Sequence, residues 1–417
     1  MNIMGIHIDT SRRSEPESQK PPARKWLAVL LAASVMVSGG LGSASPGRAA
    51  EIARITIAYL SQAAEPPPKL SNLDLPPKDQ GVAGGRLSIA DNNTTGRFLK
   101  QEFVLEEVEV PADGDPKAAF QALLDRGDQL IVLNVPARVL LDLADMAAGK
   151  DVLLFNVGAP DDRLRDADCR DNVMHLAPSR AMLADALAQY LAWKRWPKVF
   201  LVVGRRDGDR LFAEAVRRAT KRFGDKIVEE RQWAFGPDTR RTAQAEVPTF
   251  TQNVDYDVLV VADEIGEFGE YLAYRTWLPR PIAGTQGLTP TSWHRTHEQW
   301  GAAQLQNRFQ KTYGRWMTPL DYQVWAAIRT IGEGATRTGS AAFAAIRDYI
   351  RGPDFELAGF KGQKLTFRPW NWQLRQPILL VSPKALVSVS PQKGFLHPVS
   401  LLDTLGLDQP ESACRLP

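Results

Sequence analysis

Residues 198–224 read KVFLVVGRRDGDRLFAEAVRRATKRFG and contain the clearest fold signal in this 417-residue chain. The first part, 199–203, is a short continuous apolar run, which is typical of a strand buried on both faces of a parallel sheet. In the second part the apolar residues are spaced by four, three and four positions: Phe212, Val216, Ala219 and Phe223. That spacing places them on one face of a helix, and Gly224 is typical of its C-terminal end. The stretch therefore predicts a buried strand followed by an amphipathic helix.

The same alternation of strands and helices recurs in two successive parts of the chain, which we call the first and second series. The first series predicts strands at 55–60, 103–110, 129–133 and 152–155. It predicts helices at 80–91, from Asp115-Pro116 and at 136–148, although Gly84-Gly85 weaken the first of these. The second series adds strands at 227–233 and 258–262, and a helix capped by Ser179. Alternating short strands and helices predict an α/β fold with two doubly wound parallel-sheet lobes.

The last third of the chain has fewer elements. Thr318-Pro319 predicts the start of a long helix, and Ser340 predicts the cap of a shorter one. Strands are predicted at 364–368 and 378–381. These elements are too few for a third lobe, so we expect them to complete the first two.

The N-terminus has the pattern of a secretory signal peptide. Arg24 and Lys25 precede an apolar run at 26–37, and small residues follow as far as Gly47 and Ala49. The run is shorter than the about 20 residues of a membrane-spanning helix. We therefore expect residues 1–49 to be removed after Ala49 and the protein to be exported to the periplasm. The alternative is an uncleaved membrane anchor.

The chain has two cysteines, Cys169 and Cys414. In an oxidising compartment we expect them to form one disulfide, and the alternative is two unpaired thiols.

The composition excludes some classes of partner and reaction. The net charge is only +3 and the basic residues are scattered among acidic ones, so no nucleic-acid partner is expected. The sequence contains neither a Gly-x-Ser-x-Gly nor a Cys-x-x-Cys motif. His294 and His297 are close enough on a helix to share a metal ion, but Glu298 lies outside the pair, unlike in zinc proteases. We interpret both as surface histidines and expect no catalytic residue, metal or cofactor.

Acidic residues follow two of the predicted strands. Asp207 and Asp209 come after the strand at 199–203, and Asp263 and Glu264 come after the strand at 258–262. These positions lie at the carboxyl edge of a parallel sheet, where ligands bind. The acids are candidates for ligand contacts or for a general acid and base. The alternative is that they cap helices, since Asp is a favoured cap residue.

Several stretches resemble type I periplasmic binding proteins of the branched-chain amino acid group. Residues 172–179 and the strand at 198–203 resemble that family's first crossover and the start of its second lobe. Residues 308–314 and 321–328 resemble its late helix pair, and 359–367 resembles its closing strand segment.

A more specific resemblance is to a branch of these proteins associated with pyrroloquinoline-quinone (PQQ)-dependent alcohol oxidation. It rests on literal runs at 90–96, 355–362, 367–370, 374–377 and 391–397 and covers nearly all of the mature chain.

The resemblance implies a monomeric substrate-binding component of an ABC transporter. It would trap a small-molecule ligand between two lobes and present the closed form to a membrane permease. Three crossing strands would join the lobes, near 172–178, 286–290 and 369–376. The implied division assigns 50–173 and 289–368 to lobe 1, and 174–288 and 369–417 to lobe 2.

The resemblance also implies ligand contacts at the carboxyl ends of strands. In lobe 1 these are Asn134, Pro136, Val157, Gly158 and Ala159. In lobe 2 they are Asp207, Asp209, Asp263, Glu264 and Gln286. Trp293 follows the second crossing and is expected to offer a flat wall near the cleft.

The ligand expected from these residues is small, mostly apolar and aromatic or alcohol-derived. The amino-acid binders hold an α-carboxylate with a small hydroxyl residue and glycine after the third and fourth strands. This chain has Asn134 and Pro136, then Gly158 and Ala159, and a proline-rich loop at 66–77 is expected near the cleft mouth. An amino acid, a cationic or metal-bound ligand, a sensor or accessory role, and an enzyme on the same fold are the alternatives.

Overall fold

The computed structural model describes residues 52–63, 76–235 and 239–416. The expected signal peptide at 1–49 and most of the proline-rich loop at 66–77 lie outside the described residues. In the described part of the chain, no helix is both long enough and apolar enough to cross a membrane.

The first lobe is built on a five-stranded parallel sheet with strand order β2-β1-β3-β4-β5. Its strands are β1 (Ala53–Gln62), β2 (Gln101–Val110), β3 (Leu130–Asn134), β4 (Leu153–Asn156) and β5 (Val173–His175). The helices between them are α1 (Val82–Leu99), α2 (Pro116–Asp125) and α3 (Ala137–Met146).

Strand β3 shows why this sheet is covered on both faces. Leu130 and Val132 belong to one buried cluster, whereas Ile131 and Leu133 belong to another. Alternate side chains of a strand point to opposite faces, so a continuous apolar run needs helices on both sides.

The second lobe repeats this design with a four-stranded parallel sheet of order β7-β6-β8-β9. Its strands are β6 (Lys198–Val203), β7 (Lys226–Gln232), β8 (Val258–Ala262) and β9 (Ile282–Gly284). Its helices are α4 (Arg180–Lys194), α5 (Asp207–Phe223) and α6 (Thr239–Thr251). Ser179 caps α4 and Gly224 ends α5, so both helix signals in the sequence are confirmed.

The last third of the chain returns to both lobes. Its helices are α7 (Ala302–Tyr313), α8 (Pro319–Thr338) and α9 (Phe343–Arg351). Their apolar residues join the buried cluster on one face of the first sheet. The short strands are β10 (Thr289–Thr291), β11 (Leu357–Ala358), β12 (Lys364–Phe367), β13 (Leu374–Arg375), β14 (Ile378–Ser382) and β15 (Ala385–Ser390). Strands β10, β14 and β15 form an antiparallel sheet, and β14 contributes Ile378 and Leu380 to the core of the second lobe. The predicted α/β fold with parallel sheets covered by helices is confirmed.

Two local predictions differ from the structure. The helix predicted at 80–91 extends to Leu99 although it contains Gly84 and Gly85. A methyl group at Gly84 would overlap the carbonyl oxygen of Asp321, so the glycine allows α1 to lie directly against α8. Ser340 does not cap α9: the helix begins at Phe343, and the Ser340 hydroxyl instead accepts a hydrogen bond from the Ala342 amide.

Strand pairing also bears on the expected lobe boundaries. Met174 and His175, which the division assigned to lobe 2, pair with Phe155 and Asn156 in the first sheet. Residues Thr289–Thr291, assigned to lobe 1, pair with β14. These pairings place β5 in the first sheet and β10 beside β14, and the division into lobes stays a prediction.

Candidate ligand-binding cleft

The loops after β3 and β4 touch at the carboxyl edge of the first sheet. A side chain at Gly158 would overlap Oδ1 of Asn134, so glycine allows the two loops to meet. Asn134 and Gly158 are both partly exposed, whereas Val157 and Ala159 are buried. Pro136 lies at the N-cap position of α3 and is exposed. The structure therefore brings Asn134 and Gly158 together and leaves Pro136 at the surface.

The amides of the β4 loop are occupied by the protein itself. Oδ1 of Asn156 accepts hydrogen bonds from the amides of Ala159 at 2.9 Å and Gly158 at 3.2 Å. Its Nδ2 donates to the Ala159 carbonyl at 2.8 Å and lies 3.1 Å from Nδ1 of His175. Burial, reinforced by the charge of Arg165, lowers the pKa of His175 well below its usual value, so the imidazole is neutral. This loop is preformed, and its amides are not free to bind an anion.

Arg165 joins this loop to two of the crossing segments. Its side chain is buried and donates to the carbonyls of Ala159 and Ala177 and to Oε1 of Gln373. Sequence reasoning missed Arg165, because nothing in a Leu-Arg-Asp stretch distinguishes a buried guanidinium from an exposed one.

Two acids of the second lobe hold backbone amides. Asp209 accepts hydrogen bonds from the amides of Arg206 at 3.1 Å and Glu264 at 2.8 Å. Asp263 accepts from three amides in the following loop, at 2.7–2.9 Å: Glu267, Phe268 and Gly269. Both side chains are buried, and burial raises the pKa of Asp209. For Asp209 the structure shows the capping role that the sequence left open.

The other two acids make ion pairs. Asp207 is exposed and pairs with Arg210 on the same helix. Glu264 accepts two hydrogen bonds from Arg180, which also binds Asp161 at 2.9 Å. Burial opposes the charge of Arg180, but hydrogen bonding and the charges of Glu264 and Asp161 outweigh it and raise its pKa.

Arg180 is a second residue that sequence reasoning missed, although a signal exists. It is the first residue of α4, where the helix dipole disfavours a positive charge. An arginine at that position after a good cap residue indicates that acidic partners hold it from elsewhere in the fold.

A cavity of about 660 Å³ lies between segments of both lobes. The loops of the second lobe contribute Gly269, Glu270, Tyr274, Thr285 and Gln286. The opposite side contributes Trp293, His294 and Pro319, and β10 contributes Thr289 and Thr291. Two of the predicted residues, Gln286 and Trp293, therefore share one cavity. The described lining has one acidic side chain and no lysine or arginine.

Trp293 borders this cavity but is fully buried. Its ring stacks on Tyr322 with 4.4 Å between centroids and 7° between planes. Its Nε1 is buried and has no hydrogen-bond partner among the described residues. A buried indole N–H is a donor that an oxygen of a ligand can satisfy.

The interpretation of both His294 and His297 as surface histidines is wrong for His297, which is buried. Nδ1 of His294 bonds to Oγ1 of Thr296 at 2.8 Å, and Nε2 of His297 bonds to the Phe360 carbonyl at 2.8 Å. Burial lowers the pKa of both histidines. Within the described ranges, no group of three His, Cys, Asp or Glu side chains is placed to hold a metal ion.

The comparisons with known proteins identify the fold. No family model and no curated protein matches the sequence. A periplasmic binding protein from Burkholderia mallei is 15% identical, with a TM-score of 0.62, and the match covers 86% of this chain and 98% of that one. A branched chain amino acid ABC transporter periplasmic ligand-binding protein from Burkholderia xenovorans is 16% identical, with a TM-score of 0.63 and coverage of 80% and 95%.

A solute-binding protein of an ABC transporter from R. palustris, solved with benzoate, is 13% identical, with a TM-score of 0.62 and coverage of 87% and 99%. At these identities the likeness shows that the chain has the fold of type I periplasmic binding proteins.

Proposed function

We propose that this chain is the periplasmic solute-binding component of an ABC transporter. It traps a small uncharged solute, aromatic or alcohol-derived, between its lobes and presents the closed form to a membrane permease. It acts as a monomer and is not an enzyme. The observation that carries this proposal is the cavity of about 660 Å³ to which both lobes contribute.

The chemistry of the lining supports the uncharged ligand. The hydroxyls of Thr285 and Thr291 donate to the carbonyls of Val261 and Trp293, whereas the Thr289 hydroxyl has no such bond among the described residues. Nε1 of the buried Trp293 is an unpaired donor at the edge of the cavity. An apolar wall with a few convergent polar groups is the usual make-up of a small-molecule site. With Glu270 present and no basic side chain in the described lining, an anionic ligand would be buried without a counter-charge, which is costly.

The same observations argue against an α-amino acid. An α-carboxylate needs free amide or cationic donors, and the amides of Gly158 and Ala159 are held by Asn156. Among the structural neighbours, proteins solved with leucine and with benzoate show that this fold accepts both aliphatic and aromatic ligands.

The link to PQQ-dependent alcohol oxidation is supported by the sequence resemblance alone. It suggests that the solute is an alcohol or an aldehyde of that pathway. Both classes are neutral and present an oxygen that can accept the hydrogen bond of Trp293.

A thermal-shift and calorimetry screen tests the proposal. The ligands are benzyl alcohol, benzaldehyde, benzoate, leucine, PQQ and Ca²⁺. A ligand at about 100 times its dissociation constant should stabilise the native state by about 2.7 kcal/mol. The proposal expects an aromatic alcohol or aldehyde to bind, and tight binding of leucine or of Ca²⁺ alone would overturn it.

A matched pair of variants locates the binding site. Thr289→Val keeps the shape of a lining residue and removes its hydroxyl, so the affinity for the ligand should fall about three- to tenfold. Thr95→Val makes the same change on the exposed face of α1 and should leave the affinity unchanged. Equal affinities for the two variants would place the ligand elsewhere.

The periplasmic location is part of the proposal and has its own test. Intact mass of protein from the periplasmic fraction should correspond to a chain that begins near Ala50. A membrane-bound chain that retains Met1 would show that the apolar run at 26–37 is an anchor.

A further inference from the structure

An exposed apolar and basic surface lies at the base of the second lobe. Four large apolar side chains there are 55%, 84%, 78% and 51% exposed: Trp193, Leu396, Val399 and Leu401. Single exposed apolar residues are normal in a monomer, but a contiguous set marks an interaction site. We call these four residues, together with Trp196 and Phe395, the base patch.

Three contacts bring together the elements that carry the base patch. Gln189 of α4 binds both Gln392 and Thr404, which flank the segment that carries Leu396, Val399 and Leu401. Trp193 lies four residues beyond Gln189 and therefore on the same helix face. The ring of Phe395 packs edge-on against Phe223 with 5.3 Å between centroids. The end of α4, the end of α5 and the segment 392–404 thus meet at one place.

Several cations lie around the base patch. Lys194 and Arg195 are exposed at the end of α4, and Nζ of Lys194 lies 5.6 Å from the ring centres of both Trp193 and Trp196. Lys393 is exposed next to Phe395. Lys226 is exposed where β7 begins, and its amide bonds to the Pro197 carbonyl.

The acidic groups in this region have partners or are partly buried: Asp255 pairs with Lys198 at 2.6 Å, and Asp257 accepts a hydrogen bond from the Lys198 amide. Asp408 is paired with His397 at 3.0 Å. Asp225, beside Lys226, is partly buried, and burial raises its pKa to about 7. The base patch is therefore apolar at its centre and cationic at its edge.

We propose that the base patch docks on an anionic phospholipid surface. Tryptophan and lysine are the side chains that favour the boundary between lipid headgroups and acyl chains, because each combines an apolar body with a polar end. Leu396 and Val399 would insert below the headgroups, and the lysines and Arg195 would pair with lipid phosphates.

Docking through the base patch leaves the ligand-binding cleft free of lipid. The base patch lies where α4 and α5 end and where β6 and β7 begin, whereas the cleft loops follow the carboxyl ends of the strands. The two sites are at opposite ends of the second sheet. A docked protein would therefore stay at the membrane surface without lipid covering the cleft loops.

Vesicle co-sedimentation tests the proposal with the purified protein. Vesicles of phosphatidylglycerol and phosphatidylcholine should bind the protein, and binding should weaken as salt is raised. Pure phosphatidylcholine vesicles should bind it much less. Equal binding to both compositions, or binding to neither, would overturn the proposal.

Variants test whether vesicle binding depends on the base patch or on exposed apolar residues in general. Leu396→Ser with Val399→Ser should weaken binding to the anionic vesicles by at least about tenfold, since both side chains lose their insertion energy. Phe98→Ser is the matched control, because Phe98 is 79% exposed but lies on α1 of the first lobe. If the double variant instead converts a dimer into a monomer in light scattering, a second copy of the chain covers the patch and the lipid proposal is wrong.

Discussion

Glu264 accepts two hydrogen bonds from Arg180, each 2.7 Å long, from Nε to Oε1 and from Nη2 to Oε2. Arg180 also donates from Nη1 to Oδ2 of Asp161 at 2.9 Å. Asp161 follows β4 of the first sheet, and Glu264 follows β8 of the second. One guanidinium therefore connects the loops of both lobes, and an acid predicted to contact ligand has a partner within the protein.

The first prediction follows from this ion pair. Glu264→Ala should lower the free energy of unfolding by about 2–3 kcal/mol, because Arg180 is only 7% exposed and would keep a single partner. Urea unfolding measures the loss. Asp207→Ala is the control, since its exposed pair with Arg210 should contribute less than about 1 kcal/mol. If Glu264→Ala unfolds like the parent protein and loses only ligand affinity, Glu264 is a ligand contact after all.

The second prediction concerns the contact between α1 and α8. Gly84→Ala would force a methyl group onto the carbonyl oxygen of Asp321, so the helices must separate. We expect a destabilisation of about 1–3 kcal/mol, although alanine has the higher helix propensity. Thr95→Ala, on the exposed face of the same helix, should change the stability by less than about 0.5 kcal/mol. A Gly84→Ala protein as stable as the parent would show that the two helices can move apart freely.

The secondary structure of both lobes could be predicted from the sequence because its signals are local. The apolar run at 199–203 requires cover on both faces, and β6 indeed contributes to two buried clusters. Ser179 caps the first turn of α4, and Gly224 ends the last turn of α5, so both signals act on neighbouring residues. The role of Gly84 could not be predicted, because its partner Asp321 is more than 200 residues away in the chain.

For the site, the predicted ligand contacts stay a prediction, and the structure shows where these residues lie. A family resemblance places residues at strand ends, and Gln286 and Trp293 do share a cavity. It cannot show which polar atoms are already bonded within the protein. Asp209 and Asp263 bind backbone amides, and Arg165 and Arg180 become visible only when their distant partners are known.

The third prediction concerns pH. Burial raises the pKa of Asp225 to about 7, and one of its oxygens has no hydrogen-bond partner among the described residues. In the unfolded chain the pKa returns to about 3.9. Between these values the native state binds more protons than the unfolded state, so the stabilising contribution present at low pH is lost as pH rises towards 7.

Asp225→Asn should remove this fall in native-state stability at higher pH. The variant should be about 1–2 kcal/mol more stable than the parent at pH 8, after allowance for partial solvent screening, and equal to it near pH 4. Thermal unfolding across this pH range measures the difference. Asp113→Asn, an exposed change elsewhere, should leave the pH profile as it is. A parallel profile for Asp225→Asn and the parent would mean that the carboxyl is solvated in the native state.

The last prediction concerns the C-terminal tail. Cys169 and Cys414 form a disulfide with 5.7 Å between their Cα atoms and a sequence separation of 245. Beside it, Oγ of Ser412 donates to the Arg165 carbonyl at 2.9 Å, and the Ala413 amide bonds to Asp166. The bridge therefore holds the tail against the loop that precedes the first crossing.

Cys169→Ser with Cys414→Ser should lower the free energy of unfolding by about 3–5 kcal/mol, since so long a closed loop strongly restricts the unfolded chain. Adding reductant to the parent protein should cause a similar loss, and adding it to the variant should change nothing. The denatured, unreduced parent should not react with a thiol reagent. Two reactive thiols per chain would mean that the tail is held by its hydrogen bonds alone, and the double variant would then be nearly as stable as the parent.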